Sequence, residues 1–286
     1  MSTPSEAGKN PLRVGVIGYP IGHSISPVFQ QAAFDHLGIR ARYEAWETHP
    51  SKLKERIEGL RSPGALGANV TVPHKEAVIP LLDTVDPLAT QIGAVNTIIN
   101  RNGKLAGYNT DALGFLRSLA EDGHFDPKSK RVLILGAGGA ARAVSFALLT
   151  SGIAHLTIAN RPRYLAENLV ARLRDSGQKQ VEVGIWKRVP AGIDLIVNCT
   201  PIGMKGGPSP KRSPLAPSQV PPSVLVYDVV YNPPETPLMK AARKSGAKAV
   251  GGLHMLVYQG AASFELWTGQ KAPLSVMLPI AEKALS

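Results

Sequence analysis

The sequence predicts an α/β protein of two domains. Short apolar runs of strand length alternate with amphipathic stretches of helical length along nearly the whole chain, a pattern that is typical of α/β folds. At 286 residues the chain is long enough for two domains, each with its own hydrophobic core. No window holds the ~20 apolar residues needed to span a bilayer, so we expect no membrane association.

The first half of the chain carries alternating strand and helix patterns and then a hairpin. Strands are predicted at 13–17, 41–46 and 65–70, and helices at 27–37 and 53–60. Two further strand patterns, 95–100 and 104–108, flank Asn102-Gly103, which is a strong hairpin signal. A helix over 110–120 follows and begins with a polar cap.

A second alternation begins at residue 131. Strands are predicted at 131–135, 156–159, 195–199 and 224–230, with a helix up to about residue 151 and an apolar helix at 253–267. The segment 206–222 contains six prolines in 17 residues. Because proline lacks an amide hydrogen, we expect no regular structure there but a mobile surface loop.

These patterns place the domain boundaries. The first domain is predicted to be discontinuous, over residues 11–111 and 252–286, and the second to span 112–251. The apolar helix near residue 253 is expected to lead the chain back to the first domain. Residues 1–10 are polar and lack the apolar core of a signal peptide, so we expect a loose tail.

Charge and cysteine content restrict the possible functions. Cys199 is the single cysteine, which excludes an intramolecular disulfide and a thiolate metal cluster; we therefore predict no metal and a reducing, cytoplasmic location. The net charge of +11 comes from Lys and Arg spread along the chain, which disfavours nucleic acid as a partner. Either a field that steers anionic small molecules or a solvated basic surface explains it. Monomer and homodimer both stay open.

A glycine-rich turn in the second half predicts a dinucleotide site. Gly136-Ala137-Gly138-Gly139-Ala140-Ala141 follows an apolar strand and opens a helix. Gly136 permits the tight turn, Gly138 lets the backbone approach a pyrophosphate, and the helix N-terminus offers amide hydrogens to it. The alternative is a purely structural turn. Segment 15–20 also follows a strand, but it lacks the Gly-x-Gly spacing, so we assign no cofactor to it.

The residues that follow the next strand indicate which dinucleotide is bound. NAD sites place an acid about 20 residues beyond the glycines, whereas this chain has Asn160-Arg161-Pro162-Arg163 and no acid before Glu167. A guanidinium pairs with a 2′-phosphate that an acid would repel. NADP is therefore the predicted cofactor.

Polar clusters at strand ends of the first half predict a second site. They are 23–27, 69–75, 93–97 and 107–111, built from hydroxyls, amides, Lys75 and Asp111. Each is also compatible with a turn or a helix cap. Because ligands of open α/β sheets bind outside the carboxyl ends of the strands, four clusters together indicate a site for a small polyhydroxylated acid.

These clusters resemble those of the shikimate dehydrogenases, and the match extends to nearly the C-terminus. It continues with Asn160-Arg161 and with segments 198–204, 228–233, 255–260 and 264–267. The resemblance implies reversible reduction of 3-dehydroshikimate to shikimate with NADPH, in aromatic amino-acid biosynthesis. It also implies a discontinuous substrate domain closed by the C-terminal helices.

The resemblance assigns a role to each matching position. Lys75 and Asp111 match the catalytic pair, and a lysine held by an aspartate supplies the proton and charge that reduction of a ketone needs. The resemblance implies that Ser24 and Ser26 bind the substrate carboxylate. The other substrate positions are Asn69, Thr71, Asn96, Tyr231 and Gln259. The cofactor positions are Gly136, Ala137, Gly138, Gly139, Ala140, Asn160, Arg161, Thr200, Met204, Val229, Gly252 and Met255.

Some residues depart from the family, and two other functions remain open. Gln30 stands where histidine is frequent, Pro162 and Leu165 replace the usual residues after Asn-Arg, and His254 replaces a small residue. One alternative is a quinate/shikimate dehydrogenase that uses NAD as readily. The other is a non-catalytic regulator that responds to NADP, which the presence of Lys75 and Asp111 disfavours.

Overall fold

A computed structural model describes residues 10–285, which divide into two compact units. The first unit comprises residues 10–110 and Gln259–Ala284, and the second comprises Asp111–Tyr258. The α/β class is confirmed in both units. The expected N-terminal tail lies, apart from residue 10, outside the described residues. Across residues 10–285, no helix is long and apolar enough to cross a membrane.

The strands and helices have the following bounds. Strands are β1 Leu12–Gly18, β2 Ala41–Glu47, β3 Ala65–Val70, β4 Thr84–Val85, β5 Thr97–Arg101, β6 Lys104–Tyr108, β7 Arg131–Leu135, β8 His155–Ala159, β9 Val181–Val183, β10 Leu195–Asn198, β11 Leu225–Asp228 and β12 Lys248–Gly251. Helices are α1 Ser26–His36, α2 Leu53–Gly59, α3 Pro87–Ile92, α4 Asp111–Glu121, α5 Gly139–Thr150, α6 Arg163–Asp175, α7 Pro237–Lys244, α8 Leu253–Thr268 and α9 Leu274–Lys283.

The first unit is a mixed sheet in the order β2-β1-β3-β5-β6-β4. Strands β1, β2 and β3 are parallel, and β5 runs antiparallel to both β3 and β6. The ends of β1, β3 and β6 and the start of β5 therefore share one edge. The predicted hairpin is confirmed, since Arg101 pairs with Lys104 and the turn residues Asn102 and Gly103 have φ of 55° and 85°, as a primed turn requires.

The second unit is a fully parallel sheet in the order β12-β11-β10-β7-β8-β9. The chain moves outward from β7 to β9, returns to the other side of β7 and moves outward again to β12. This is the order of a dinucleotide-binding α/β fold, in which the direction reverses between β7 and β10 and ligands bind at that reversal.

Each sheet has its own hydrophobic core. In the first unit Ile17, Val70 and Ile98 are buried together, and in the second Leu133 and Ile196 are. The later half of α8 contributes Phe264, whose ring centroid lies 4.8 Å from that of Phe34 on α1. Helix α9 also packs on α1. The later half of α8 and helix α9, within Gln259–Ala284, thus belong to the first unit.

The proline-rich segment is more ordered than its composition predicts. Residues Pro217–Gln219 form a 3₁₀ helix, so the expectation of no regular structure over 206–222 is wrong there. Leu215 and Val220 are 1% and 4% exposed and belong to the core of the second unit. The prolines around these two apolar residues obscured their pattern in the sequence. Their burial fixes the later half of the segment against the sheet.

Candidate active site

The predicted substrate residues of the first unit gather at one edge of its sheet. Ser24 lies between β1 and α1, Asn69 is the penultimate residue of β3, Thr71 follows that strand, and Asn96 immediately precedes β5. Ser24 Oγ accepts a hydrogen bond from the Ser26 amide at 3.3 Å, which orders the turn before α1. Tyr231 lies in the second unit, after β11.

Asn69, Asn96 and Gln259 belong to one buried hydrogen-bond network. Asn69 accepts a bond from the Tyr43 hydroxyl at 2.8 Å and donates to Ser263 Oγ at 2.9 Å. Asn96 Nδ2 donates to Gln259 Oε1 at 3.0 Å. These side chains are all less than 9% exposed. The network joins β2, β3, β5 and α8, and residues that bond directly to one another in it are up to 194 positions apart in the chain.

Hydroxyl groups that the sequence analysis did not assign connect these amides. Ser263 Oγ lies 2.7 Å from Thr97 Oγ1 and 3.2 Å from Thr110 Oγ1, and it donates to the Gln259 carbonyl at 3.0 Å. The Thr110 amide donates to Asn96 Oδ1 at 2.8 Å. Ser263 follows Gln259 by four positions on α8, so helical spacing is the signal that would have found it.

The amides and hydroxyls that these bonds join are neutral groups, and we call them the neutral network. Burial raises the pKa of the Tyr43 phenol well above its ordinary value, so Tyr43 remains a neutral donor. Buried amides and hydroxyls in such an arrangement each have a fixed partner, and removing one partner leaves another group unsatisfied. The edge of the first sheet therefore offers donors and acceptors in fixed directions, which suits a ligand rich in hydroxyls.

The two predicted catalytic residues lie on different elements of the structure. Lys75 is half-buried in the turn after β3, and its carbonyl accepts the amide hydrogen of Val95 at 2.8 Å. The neighbouring His74 is 1% exposed, with Nε2 2.7 Å from the Thr48 carbonyl oxygen. Asp111 is the first residue of α4, in the second unit, and is 5% exposed. Lys75 thus stands on a turn fixed at both ends.

The glycine-rich turn of the second unit has the geometry of a phosphate cradle. Gly136 has φ of 115°, and a Cβ there would lie 2.9 Å from the Cys199 carbonyl carbon, so only glycine fits between β7 and β10. Gly138 is the opposite case, because a Cβ there would meet nothing within 4 Å. Helix α5 begins at Gly139 with no side-chain cap. Its first amide hydrogens are thus available beside open space, as a pyrophosphate requires.

Thr200 is held by a chain of hydrogen bonds that begins at Asp228, the last residue of β11. Asp228 accepts hydrogen bonds from Thr236 Oγ1 at 2.6 Å and Asn198 Nδ2 at 2.8 Å. Asn198 Oδ1 in turn accepts the Thr200 hydroxyl at 2.7 Å. Burial raises the pKa of Asp228 to about 6 in spite of its three donors. Thr200, a predicted cofactor residue, is therefore oriented by Asn198, which the buried Asp228 carboxyl in turn holds in place.

The remaining cofactor positions also lie at the carboxyl edge of the second sheet. Val229 follows β11, and Gly252 follows β12. A Cβ on Gly252 would lie 2.1 Å from the Val229 carbonyl oxygen, so this glycine is required by the contact between two backbone segments. Met204 donates its amide hydrogen to the Pro201 carbonyl at 3.2 Å, and Met255 is buried in α8.

A cavity of about 320 Å³ lies beside Asn160 and Arg161, at the end of β8. Lys187 and Arg212 also line it, and we call it the basic cavity because it contains these three cations. Asn160 Nδ2 donates to the Pro162 carbonyl at 2.8 Å, which fixes the start of the turn. Lys187 and Arg212 were missed in the sequence because they lie in irregular segments without a motif.

Comparison with known proteins now identifies the family. Three family models match: the shikimate dehydrogenase substrate-binding domain over residues 16–98, shikimate/quinate 5-dehydrogenase over 118–202, and the shikimate 5′-dehydrogenase C-terminal domain over 252–281. A shikimate dehydrogenase (NADP⁺) from Moorella thermoacetica is 48% identical, with 95% of this chain and 93% of the relative covered. The chain belongs to the shikimate dehydrogenase family.

Solved structures agree with that assignment. Shikimate 5-dehydrogenase from Thermus thermophilus, in complex with NADP(H) and shikimate, is 38% identical with a TM-score of 0.86, covering 96% of this chain and all of that one. A ligand-free 5-ketofructose reductase from a Gluconobacter strain is 35% identical with a TM-score of 0.85, covering 96% and 99%. The same scaffold therefore also occurs in a protein with a different substrate.

Gln30 and His254, which the resemblance marked as departures from the family pattern, both have definite contacts. Gln30, fully buried on α1, donates from Nε2 to the Gly260 carbonyl at 2.8 Å and so fixes α8 beside Gln259. In the second unit His254 Nδ1 lies 2.7 Å from Asp122 Oδ1, at the end of α4. Both replacements take part in packing between helices of their own unit.

Proposed function

We propose that this chain catalyses the reversible reduction of 3-dehydroshikimate to shikimate with NADPH. The observation that carries the proposal is the neutral network around Asn69, Asn96 and Gln259 at the carboxyl edge of the first sheet. Shikimate is a carboxylated ring with several hydroxyl groups, and such a ligand is recognised by directional amides and hydroxyls. Family membership supports the same reaction. We assign the first unit to the substrate and the second to the cofactor.

Each polar group of the first unit has a proposed role toward the substrate. Ser24 and Ser26 donate to the carboxylate from the turn before α1. Asn69, Thr71, Asn96 and Gln259 bind the ring hydroxyls, and Tyr231 of the second unit adds a phenol. For Asn69 the contacts support this role directly. Its Oδ1 accepts one bond from Tyr43, and because a carbonyl oxygen accepts two, a second remains for a substrate hydroxyl.

Lys75 and Asp111 are the proposed catalytic residues. NADPH supplies the hydride when it is bound. As the hydride reaches the ketone carbon, negative charge develops on the ketone oxygen, and the Lys75 ammonium stabilises that charge and transfers a proton to it. In the reverse direction Lys75 accepts the proton of the substrate hydroxyl. Asp111 supports the charged form of the lysine, and Lys75 regains its proton from solvent after each reduction.

The second unit fits NADP at two places. The open space at Gly138 and the uncapped start of α5 suit the pyrophosphate, with Gly136, Ala137, Gly139 and Ala140 completing the turn. Asn160 and Arg161 lie at the end of β8, where the ribose next to the adenine is bound in this fold. Thr200, Met204, Val229, Gly252 and Met255 complete the proposed cofactor residues along the same edge.

The reaction is tested by following NADPH oxidation with purified protein. We expect 3-dehydroshikimate to be reduced, with quinate a poor substrate for the reverse reaction and NAD a poor cofactor. Equal rates with NAD and NADP, or faster oxidation of quinate than of shikimate, would instead indicate a quinate/shikimate dehydrogenase. NADP binding without turnover of either substrate would indicate a regulator. Reduction of 5-ketofructose in preference to 3-dehydroshikimate would overturn the proposed substrate.

A further inference from the structure

The basic cavity contains more positive charge than the Asn-Arg motif supplies. Arg161 is the motif cation that lines it. The neighbouring Arg163 is engaged elsewhere, since its Nε lies 2.8 Å from Glu167 Oε1 on the next turn of α6. None of the described residues that line the cavity is an aspartate or glutamate. A phosphate monoester carries between one and two negative charges at neutral pH, more than a single guanidinium balances.

We infer that Lys187 and Arg212 complete the 2′-phosphate site of NADP and act as further determinants of cofactor specificity. The inference rests on the proposed use of NADP and extends it to residues outside the Asn160-Arg161 motif. Three cations with no neighbouring acid favour a phosphate over the two free hydroxyls of an NAD ribose. The hydroxyls of Ser209 and Ser213 line the same cavity and are suited to bind the phosphate oxygens.

The backbone of Lys187 provides an independent reason to assign a role to its side chain. Lys187 has φ of 64°, in the left-handed region that favours glycine and asparagine. Its carbonyl accepts a hydrogen bond from Gln219 Nε2, so the proline-rich segment holds the residue in place. A lysine in this conformation is strained, and such strain is characteristic of functional positions. The ammonium that lines the cavity is the function we assign.

Arg212 is positioned by the first half of the proline-rich segment. Ile202 and Ser209 form a parallel β-bridge, and the Gly203 amide donates to the Ser209 carbonyl at 3.0 Å. The Arg212 amide donates to the same carbonyl at 3.2 Å. These bonds connect the segment to the turn that follows β10. Arg212 therefore faces the cavity from a segment held to the sheet edge, whereas its neighbour Lys211 does not line the cavity.

The inference is tested by calorimetric titration with two probes, adenosine 2′,5′-bisphosphate and adenosine 5′-monophosphate. Arg212→Ala should weaken binding of the bisphosphate about tenfold and leave the monophosphate unchanged. Lys211→Ala is the matched control, because it removes an equally exposed cation one residue away, and it should leave both affinities unchanged. Equal losses for the two probes, or an equal loss in the control, would overturn the role of Arg212.

The variant Lys187→Gly distinguishes the contribution of the Lys187 side chain to binding from the effect of its backbone conformation on stability. Glycine adopts a positive φ without strain, so the variant should be at least as stable to heat as the wild type while it binds the bisphosphate about threefold to fivefold more weakly. Unchanged bisphosphate affinity would remove Lys187 from the site. A wild type that binds both probes equally would refute NADP preference itself, whereas a wild-type preference that neither variant alters would refute this inference alone.

Discussion

The two units use the carboxyl edges of their sheets in different ways. In the first unit the neutral side chains of Asn69, Asn96 and Ser263 are buried at this edge and hold one another in place. In the second unit the basic cavity is lined by cations on turns and loops, and Arg161, Lys187 and Arg212 are all exposed. A polyhydroxylated ring requires fixed directions, whereas a phosphate requires charge. The geometry of the first site depends on the packing of its unit, whereas the cations of the second site lie on turns and loops outside the core of theirs.

The largest expected effect concerns Lys75, the cation we place among the neutral groups of the first unit. Lys75→Ala should lower turnover by about 10²–10⁴-fold, because a general acid–base group contributes that much to the rate. Substrate affinity should change far less, since the interaction matters most in the transition state. Turnover and substrate affinity are measured by steady-state kinetics and by direct titration.

Two further variants control this prediction. Lys54→Ala, an exposed lysine on α2, should have no effect on turnover. Asp111→Asn should slow turnover, and its effect should be strongly non-additive with Lys75→Ala if the two residues act as a unit. A Lys75→Ala protein that keeps most of its turnover would exclude this lysine from the chemistry.

A second prediction measures how far the neutral network supports the fold. Asn69→Ala removes the acceptor of the buried Tyr43 hydroxyl and one of the buried partners of Ser263, so the free energy of unfolding should fall by about 2–4 kcal/mol. Asn160→Ala, which removes a half-exposed amide at the other site, should cost less than about 1 kcal/mol. Urea unfolding of both variants makes the measurement. Similar losses of unfolding free energy in the two variants would mean that both sites contribute equally to the stability of the fold.

A third prediction concerns charge in the second unit. Arg161→Ala should weaken NADP binding by about tenfold to a hundredfold, because a charge-assisted contact to phosphate is lost. NAD binding and thermal stability should hardly change, since the side chain is exposed. Fluorescence titration with each cofactor makes the comparison. An equal loss for NAD and NADP would place Arg161 outside the 2′-phosphate site.

The smallest effect concerns the buried carboxyl of the second unit. Since the pKa of Asp228 is raised to about 6 in the folded protein, the folded state binds its proton more tightly than the unfolded state does. Its contribution to stability is therefore greatest at low pH and is lost as pH rises from about 4 to about 6. Relative to Asp228→Asn, the wild type should lose on the order of 1–3 kcal/mol over that range.

Chemical unfolding of the two proteins at a series of pH values gives this difference directly. The comparison with Asp228→Asn removes the contributions of other carboxyls, such as Glu121, whose pKa is lowered by Arg117. A difference that does not vary with pH would show that Asp228 titrates normally.

Local sequence predicted many of the helices, strands and motifs. It did not predict which distant residues complete each site. Apolar periodicity located β7, α5 and the Asn102-Gly103 hairpin, and the glycine spacing located the turn at Gly136. Short strands such as β9 and β12 were missed because three or four residues carry too little periodicity. Tyr43 and Ser263 were missed because they join the network through contacts distant in sequence. Lys187 and Arg212 have no motif, and only folding brings them to one cavity.

The placement of all three cavity cations on exposed, irregular segments has a consequence for evolution and for protein engineering. On the proposed assignment, changes at Arg161, Lys187 and Arg212 would alter the preference between NADP and NAD while the parallel sheet beneath them is untouched. Cofactor preference is therefore a trait that mutation can adjust in small steps, with little risk to folding. Substrate preference in the other unit is expected to be harder to adjust, because changes at Asn69, Asn96 or Gln259 disturb buried partners. A lineage adapting to a new redox balance would be expected to vary these loops first.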